Sequence, residues 1–508
     1  MHGKVQSLIN VGAGGLIVDI ECHLSNSLPN IVIVGSATKA VDESKERLRG
    51  AFATSNLQVP RKRITINLAP ADIPKDDSGF DLGIAAAILL AANTSMAASG
   101  KSAAFVGELG LDGSVRAVHG IIGKILAGRN QGLQQFYIPA TNLEQAGLVP
   151  NITLFPVESL RQLYDHLSGA SLITPVNTKN GILATPVTKK KQETTRLSDI
   201  VGQPHAKRAL EIAAAGGHNV FLSGPPGTGK SMLARALPSI LPDLTHEEML
   251  EVTHLHSLGG QSYDSVITAR PFRSPHHSAS HVAVIGGGHT LRPGEISLSH
   301  RGILFFDELP EFSRMTLEAL RQPLEDRTIT VARAKNTVEY PADFILVATA
   351  NPCPCGYYGT TKICNCQAHQ IQRYQQKLSG PIMDRIDLYA NVSDVEHAKL
   401  ITHTAGANED SSVQARVRRA RAVQKQRYKT SAHLNSAMTN NQIKQLGQIT
   451  PQAKALLDTA AEKLDISARS YMRTIKIART IADLAESSEI NSEHLAEALQ
   501  YRQPARTL

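Results

Sequence analysis

The plainest chemistry in this chain lies at Gly224–Ser231, which reads Gly-Pro-Pro-Gly-Thr-Gly-Lys-Ser. This is the G-x-x-x-x-G-K-[ST] spacing, in which a glycine-rich turn wraps backbone N–H groups around phosphates. Gly224, Gly227 and Gly229 permit the turn because a side chain there would obstruct it. Pro225, Pro226 and Thr228 complete the loop. Lys230 is placed to reach the β- and γ-phosphates of ATP, and the Ser231 hydroxyl to ligate Mg2+. The context fits: the apolar run Val-Phe-Leu at 220–222 precedes the loop, and Met232–Leu237 opens a helix after it. A helix N-terminus favours anions. A glycine-rich turn with a chance lysine would not need that strand and helix.

A second group answers the first. Ile303-Leu-Phe-Phe is a continuous apolar run that ends in Asp307-Glu308. A buried strand of this kind delivers its acidic pair at the carboxyl end, where ligands sit in open α/β sheets. Asp307 would hold the metal, mostly through water, and Glu308 would polarise the attacking water as general base. The alternative is an acidic strand end that merely begins a helix. The matched phosphate loop favours the catalytic reading.

Four of the five cysteines fall within fourteen positions, as Cys353-Pro-Cys355 and Cys364-Asn-Cys366. Two close pairs on two turns can supply tetrahedral S4 coordination, which suits a structural Zn2+. Reduced thiols in a loop are the alternative, and His369 is a possible substitute ligand. His276, His277 and His281 also lie close in sequence, where a polar loop competes with a metal site. Gln414–Lys429 carries seven basic residues spread around a helix, so a solvated face competes with a nucleic-acid contact.

These groups need elements to hold them. Residues 1–168 read as mixed strand and helix: Asn30–Val34 and Arg63–Leu68 are short β-rich runs, and Phe80–Ala92 is an apolar helix. Residues 169–196, rich in Thr, Asn, Pro and Lys, read as an exposed linker. Residues 197–392 alternate apolar runs and helical patterns, as α/β domains do, with a third apolar run at Phe344–Ala348. Residues 393–508 read as helical: Thr439-x-x-Gln442 fits a capping box, and Thr450-Pro451 a helix start.

The whole chain has 508 residues, 42% apolar but only 4% aromatic and without tryptophan, so its cores must be aliphatic. No run of roughly 18 or more apolar residues exists, so no membrane span is expected. Met1–Asn10 has no secretory pattern, and an odd cysteine count argues against a disulfide framework. Together these point to the cytoplasm. The formal charge of +8 favours a polyanionic partner, though weakly.

The block 197–392 resembles an AAA+ module, an α/β P-loop NTPase with a helical lid at 393–508. Glu308 after Asp307 then implies hydrolysis by a ring-forming motor. Ala348-Thr-Ala-Asn351-Pro resembles the first sensor, so Asn351 would orient the water near the γ-phosphate. Ser379–Asp387 resembles the arginine-finger segment, which implies that Arg385 reaches a neighbouring subunit's nucleotide. A structural ion pair with Asp384 or Asp387 is the alternative. Ser467–Arg473 resembles the second sensor, carried by Arg469 or, failing that, Arg473. Between Lys230 and Asp307 lie 76 residues dense in glycine and proline, and a candidate hairpin spans 327–340 across a basic turn. Both inserts resemble the magnesium-chelatase branch of AAA+ proteins, whose pore hairpins imply that Arg333 and Lys335 track a DNA backbone.

Residues 1–168 resemble the α+β Lon-protease domain (ribosomal S5 domain 2-like), with Phe80 and Ile122 in the nucleophile and lysine positions. Neither can act; Ser78 and Lys124 nearby leave a shifted dyad to be tested. Over nearly its full length the chain resembles the ComM (YifB) family of magnesium-chelatase-like competence proteins. That resemblance implies a homo-hexameric ATP-dependent helicase on single- and double-stranded DNA, driving branch migration in natural transformation. The competing expectation is a remodeller of polypeptides, either chelatase-like or protease-associated.

Overall fold

The computed structural model describes residues 2–11, 14–35, 39–72, 75, 77–93, 103–179, 195–260, 265–288, 291–333, 336–360, 362–378, 380–395, 409–430 and 433–503. The chain divides into two compact units, Met1–Thr188 with Thr245–Thr268 and Asn336–Glu339, and the remainder.

The first unit is built on a mixed eight-stranded sheet. Its strands are His2–Val11 (β1), Gly14–Ser25 (β2), Asn30–Val34 (β3), Arg63–Ala69 (β4), Ala103–Phe105 (β5), Gln135–Pro139 (β6), Thr153–Val157 (β7) and Val176–Asn177 (β8), in the order β8-β7-β6-β5-β1-β2-β4-β3. The long antiparallel pair β1–β2 runs from His2 opposite His23 to Val11 opposite Gly14. The helix Asp81–Ala92 (α1) is buried almost all round, which its run of alanine, isoleucine and leucine allows. A second helix, Ile121–Asn130 (α2), packs against β2, and the helix His246–Leu258 joins it from far along the chain. There the Gly120 N–H donates to Ser257 Oγ at 2.7 Å. Sequence order alone assigned that helix to the ATPase block.

The linker begins later than its composition suggests. Val176–Asn177 pairs with β7 as an edge strand, and buried Thr178 donates its hydroxyl to the Val149 carbonyl at 2.7 Å. A polar segment can still be ordered where its backbone completes a sheet edge. Residues 180–194 lie outside those described.

The second unit carries a five-stranded sheet. Its strands are Val220–Ser223 (β9), Phe272–Arg273 (β10), Ile303–Phe306 (β11), Ile345–Ala350 (β14) and Leu388–Asn391 (β15), in the order β10-β11-β14-β9-β15, every pair parallel. Thr328–Arg333 (β12) and Asn336–Pro341 (β13) are two further strands, and Asn336–Glu339 is grouped with the first unit; residues 334 and 335 of the expected basic turn lie outside those described. The four residues of β11 are all buried, as the apolar run requires.

Helices Pro204–Gly216 (α3), Lys230–Ile240 (α4), Ala368–Lys377 (α5), Glu409–Tyr428 (α6) and Ala468–Leu484 (α7) surround this sheet. One hydrophobic cluster runs from β9 and β14 through α3 and α4 into α6 and α7. The helical block therefore shares its core with the sheet. Thr439 and Gln442 form the expected capping box, and Thr450 caps the helix that Pro451 opens. No helix among the described residues is long and apolar enough to cross a membrane.

Candidate active site

The phosphate loop leaves β9 at its carboxyl end, directly before α4. Gly227 and Gly229 both adopt positive φ, 82° and 88°, a region that L side chains enter at a cost. The loop thereby turns its backbone at the N-terminus of α4. Lys230 folds over the loop, donating to the Gly224 and Pro225 carbonyls at 2.7 and 2.6 Å and to Asn351 Oδ1 at 3.1 Å. Burial pulls the Lys230 pKa down, while Asp307 and Glu308 oppose that shift.

β11 and β14 are neighbouring parallel strands, so Asp307 and Glu308 emerge beside Thr349 and Asn351. Ser231 Oγ donates to Asp307 Oδ2 at 3.0 Å. A hydroxyl and a carboxylate so close can share one hard cation. The phosphate-loop lysine, the serine, the acidic strand tip and Asn351 therefore form one constellation. Ser231 and Asp307 are the residues that could hold Mg2+.

One member of it was missed as a functional residue in the sequence. Thr349 is fully buried, donates to Asp307 Oδ1 at 2.6 Å and accepts the Glu308 N–H at 2.9 Å. It thus orients both acids. Its only sequence signal is its place two residues before Asn351, on the strand beside the acidic one. Glu308 itself sits at φ 54°, a left-handed conformation unusual outside glycine and often stored at functional sites.

Arg385, Arg469 and Arg473 form a separate group. Arg385 and Arg469 both pair with Glu325, the latter at 3.3 Å. Arg473 donates to the Asp384 carbonyl at 3.2 Å and also to that of Ile386. All three line one cavity of about 530 Å³ with Arg327 and Lys476. Its location follows from register. Leu388 opens β15 opposite Val220, and the Arg385 carbonyl accepts from Asn219 Nδ2 at 3.0 Å, just before β9 begins. Gly224 follows the other end of β9. At about 3.3 Å per residue, the steps from Asn219 to Gly224 span ~16 Å. The arginines lie at the amino edge of the sheet and the phosphate loop at its carboxyl edge.

The four cysteine sulfurs lie within 4.8 Å of one another, with Cys353–Cys355, Cys353–Cys364 and Cys355–Cys364 at 3.3, 3.7 and 3.5 Å. Zn–S bonds of about 2.3 Å place tetrahedral sulfurs ~3.8 Å apart, so the donor set fits. It is the one gathered metal-ligating group among the described residues, and it includes neither His369 nor His276, His277 and His281. The rings of His276 and His277 pack on each other at 4.1 Å, and His277 meets the edge of Phe312.

The basic helix α6 is largely committed within its own unit. Arg416 pairs with Glu211, Arg418 with Asp243, Arg419 with Glu486 and Arg427 with Asp483, while Arg421 donates to the Ala214 carbonyl. Of the hairpin residues, Arg333 ends β12, and Lys335 lies outside those described. In the first unit, Phe80 and Ile122 are core residues. Ser78 donates to Glu108, and Lys124 pairs with Asp77 at 2.5 Å. The structure gives each candidate of the shifted dyad its own carboxylate instead of joining them.

The chain matches known protein families along most of its length. The family "Magnesium chelatase, subunit ChlI" matches residues 196–400, "Subunit ChlI of Mg-chelatase" residues 20–142, and "Magnesium chelatase, subunit ChlI C-terminal" residues 407–502. The chain is 41% identical to competence protein ComM of Haemophilus influenzae, over 99% of this chain and 98% of that one. It is 39% identical to the YifB protein of Salmonella typhimurium, over 98% and 96%. A 67 kDa magnesium-chelatase subunit of Chlorobaculum parvum is 25% identical over 60% of this chain and 42% of its own length.

Proposed function

The chain belongs to the ComM (YifB) family of magnesium-chelatase-like AAA+ proteins, and from that membership we propose an ATP-driven DNA motor that works as a ring of identical subunits, six by resemblance. The observation that carries this reading is the separation of Arg385 from Lys230 across the sheet. A triphosphate on the phosphate loop needs a cation at the γ-phosphate that its own chain holds on the far edge. A second copy would supply it, with Arg385, and Arg469 or Arg473, facing the neighbour's nucleotide.

On this reading ATP takes the place of the oxygens that Lys230 now meets. Ser231 and Asp307 would hold Mg2+, which would supply positive charge against the charge that develops on the transferred phosphoryl group. Glu308 accepts a proton from the attacking water, while Asn351 orients that water and Thr349 keeps both acids in place. Zn2+ on the four cysteines has a structural part. DNA as the substrate is supported by the basic turn after Arg333, by the net charge of +8 and by the name of the competence relative.

The test is ATP turnover with single-stranded, double-stranded, forked and three-stranded DNA, together with strand displacement. We expect DNA to raise turnover and ATP to drive displacement. A flat rate with every DNA, combined with stimulation by unfolded polypeptide, would replace this reading with that of a protein remodeller.

A further inference from the structure

Cys353 follows Asn351 by two residues, so the chain enters the cysteine cluster directly from the side chain that meets Lys230. Two more contacts tie the cluster to the nucleotide site. Gly356, at φ 85°, runs so close to the phosphate loop that a Cβ there would lie 2.5 Å from Pro226 Cδ. Gln375 Nε2 donates to the Pro352 carbonyl at 3.4 Å. Tyr374 is buried on the same helix α5.

Short turn hydrogen bonds aside, the described part of the segment buries few apolar groups. Cys353 is buried, but Tyr358 and Ile363 are 51% and 86% exposed, and Cys355, Cys364 and Cys366 are only half-buried. A loop with so few buried apolar groups does not offset its own ordering entropy. Four converging thiolates on one Zn2+ do, and binding releases the thiol protons to solvent.

We propose that the Cys353, Cys355, Cys364 and Cys366 centre is a positioning element of the ATPase: with Zn2+ bound, it fixes the backbone that carries Asn351, and with it the alignment of the attacking water. The inference rests on the reading of this chain as an ATP hydrolase and deepens it. Metal loss then acts on hydrolysis more than on ATP capture. Lys230, Ser231 and the backbone around Gly227–Gly229 lie outside the insert.

The full-length protein is expected to carry one zinc per chain by elemental analysis. The variant Cys364→Ser/Cys366→Ser leaves Cys353 and Cys355, the pair nearer to Asn351 in the chain, untouched. It is expected to lose the metal, to bind a fluorescent non-hydrolysable ATP analogue within about threefold of the parent, and to lose roughly tenfold or more in kcat without DNA. Adding Asn351→Ala should then cost little further, because the two changes remove the same alignment. Cys366→His keeps a tetrahedral donor set and should retain zinc and most turnover, which separates metal loss from misfolding. Metal-free native protein overturns the proposal. So does zinc loss with unchanged kcat, or loss of analogue binding in parallel with kcat. If the zinc-loaded parent hydrolyses no more ATP than Glu308→Gln, the hydrolase reading itself fails, and this inference with it.

Discussion

Thr349 shows how one hydroxyl can serve two catalytic groups. It donates to Asp307 and accepts from the Glu308 backbone, so replacing it by valine keeps the shape and removes both bonds. The Glu308 N–H and Asp307 Oδ1 would then lose their shared partner, with Ser231 left on the other Asp307 oxygen. Thr349→Val is expected to lower kcat about 10- to 100-fold, equivalent to ~1.4–2.7 kcal/mol of barrier. Affinity for an ATP analogue should hold. Steady-state kinetics beside analogue titration checks the split; equal losses in both would mean that the threonine only supports the fold. Glu308→Gln should go further in the same direction, at about 100-fold or more, as expected for a removed general base.

At the scale of elements, α6 and α7 are joined by buried polar pairs as well as apolar contact. Arg427 meets Asp483 through two bonds at 2.5 and 2.8 Å, and Asp483 is also held by Arg479 and Asn435. Removing Arg427 leaves a buried carboxylate with fewer partners, which costs about 3 kcal/mol when other donors remain nearby. Arg427→Ala should therefore lower the unfolding midpoint of the second unit, read by thermal denaturation. Arg418→Ala, whose partner pair is more than half exposed, should change it little. If both variants bound DNA more weakly at unchanged stability, α6 would be a nucleic-acid face after all.

For the whole molecule, the separation of Lys230 from Arg385 makes a prediction about mixtures. Lys230→Ala should abolish ATP binding, and Arg385→Ala should leave binding intact while slowing hydrolysis by about a thousandfold. Combined, the two proteins can form interfaces that pair an intact phosphate loop with an intact arginine. Turnover should exceed the sum of the separate rates. A strictly additive rate would place the whole reaction within one chain.

Much of the nucleotide site was legible in the sequence, because its chemistry depends on local spacing. A glycine-rich loop, its lysine and serine, and an apolar strand ending in two acids are each short motifs whose backbone follows from adjacent residues. The two capping residues Thr439 and Thr450 were legible for the same reason. The sequence by itself determined which groups could bind phosphate, magnesium and zinc. Only the tertiary structure decided which of them meet. Thr349 gained its role when β14 came to lie beside β11, and the arginines were set at the far edge by the parallel register of β15 and β9. Residues 245–268 joined the first unit, and the arginines of α6 found acids far away in sequence. Those outcomes depend on strand order and long-range packing, where partners lie from 42 residues apart (Thr349 and Asp307) to 205 (Arg416 and Glu211) and local patterns carry no record of them.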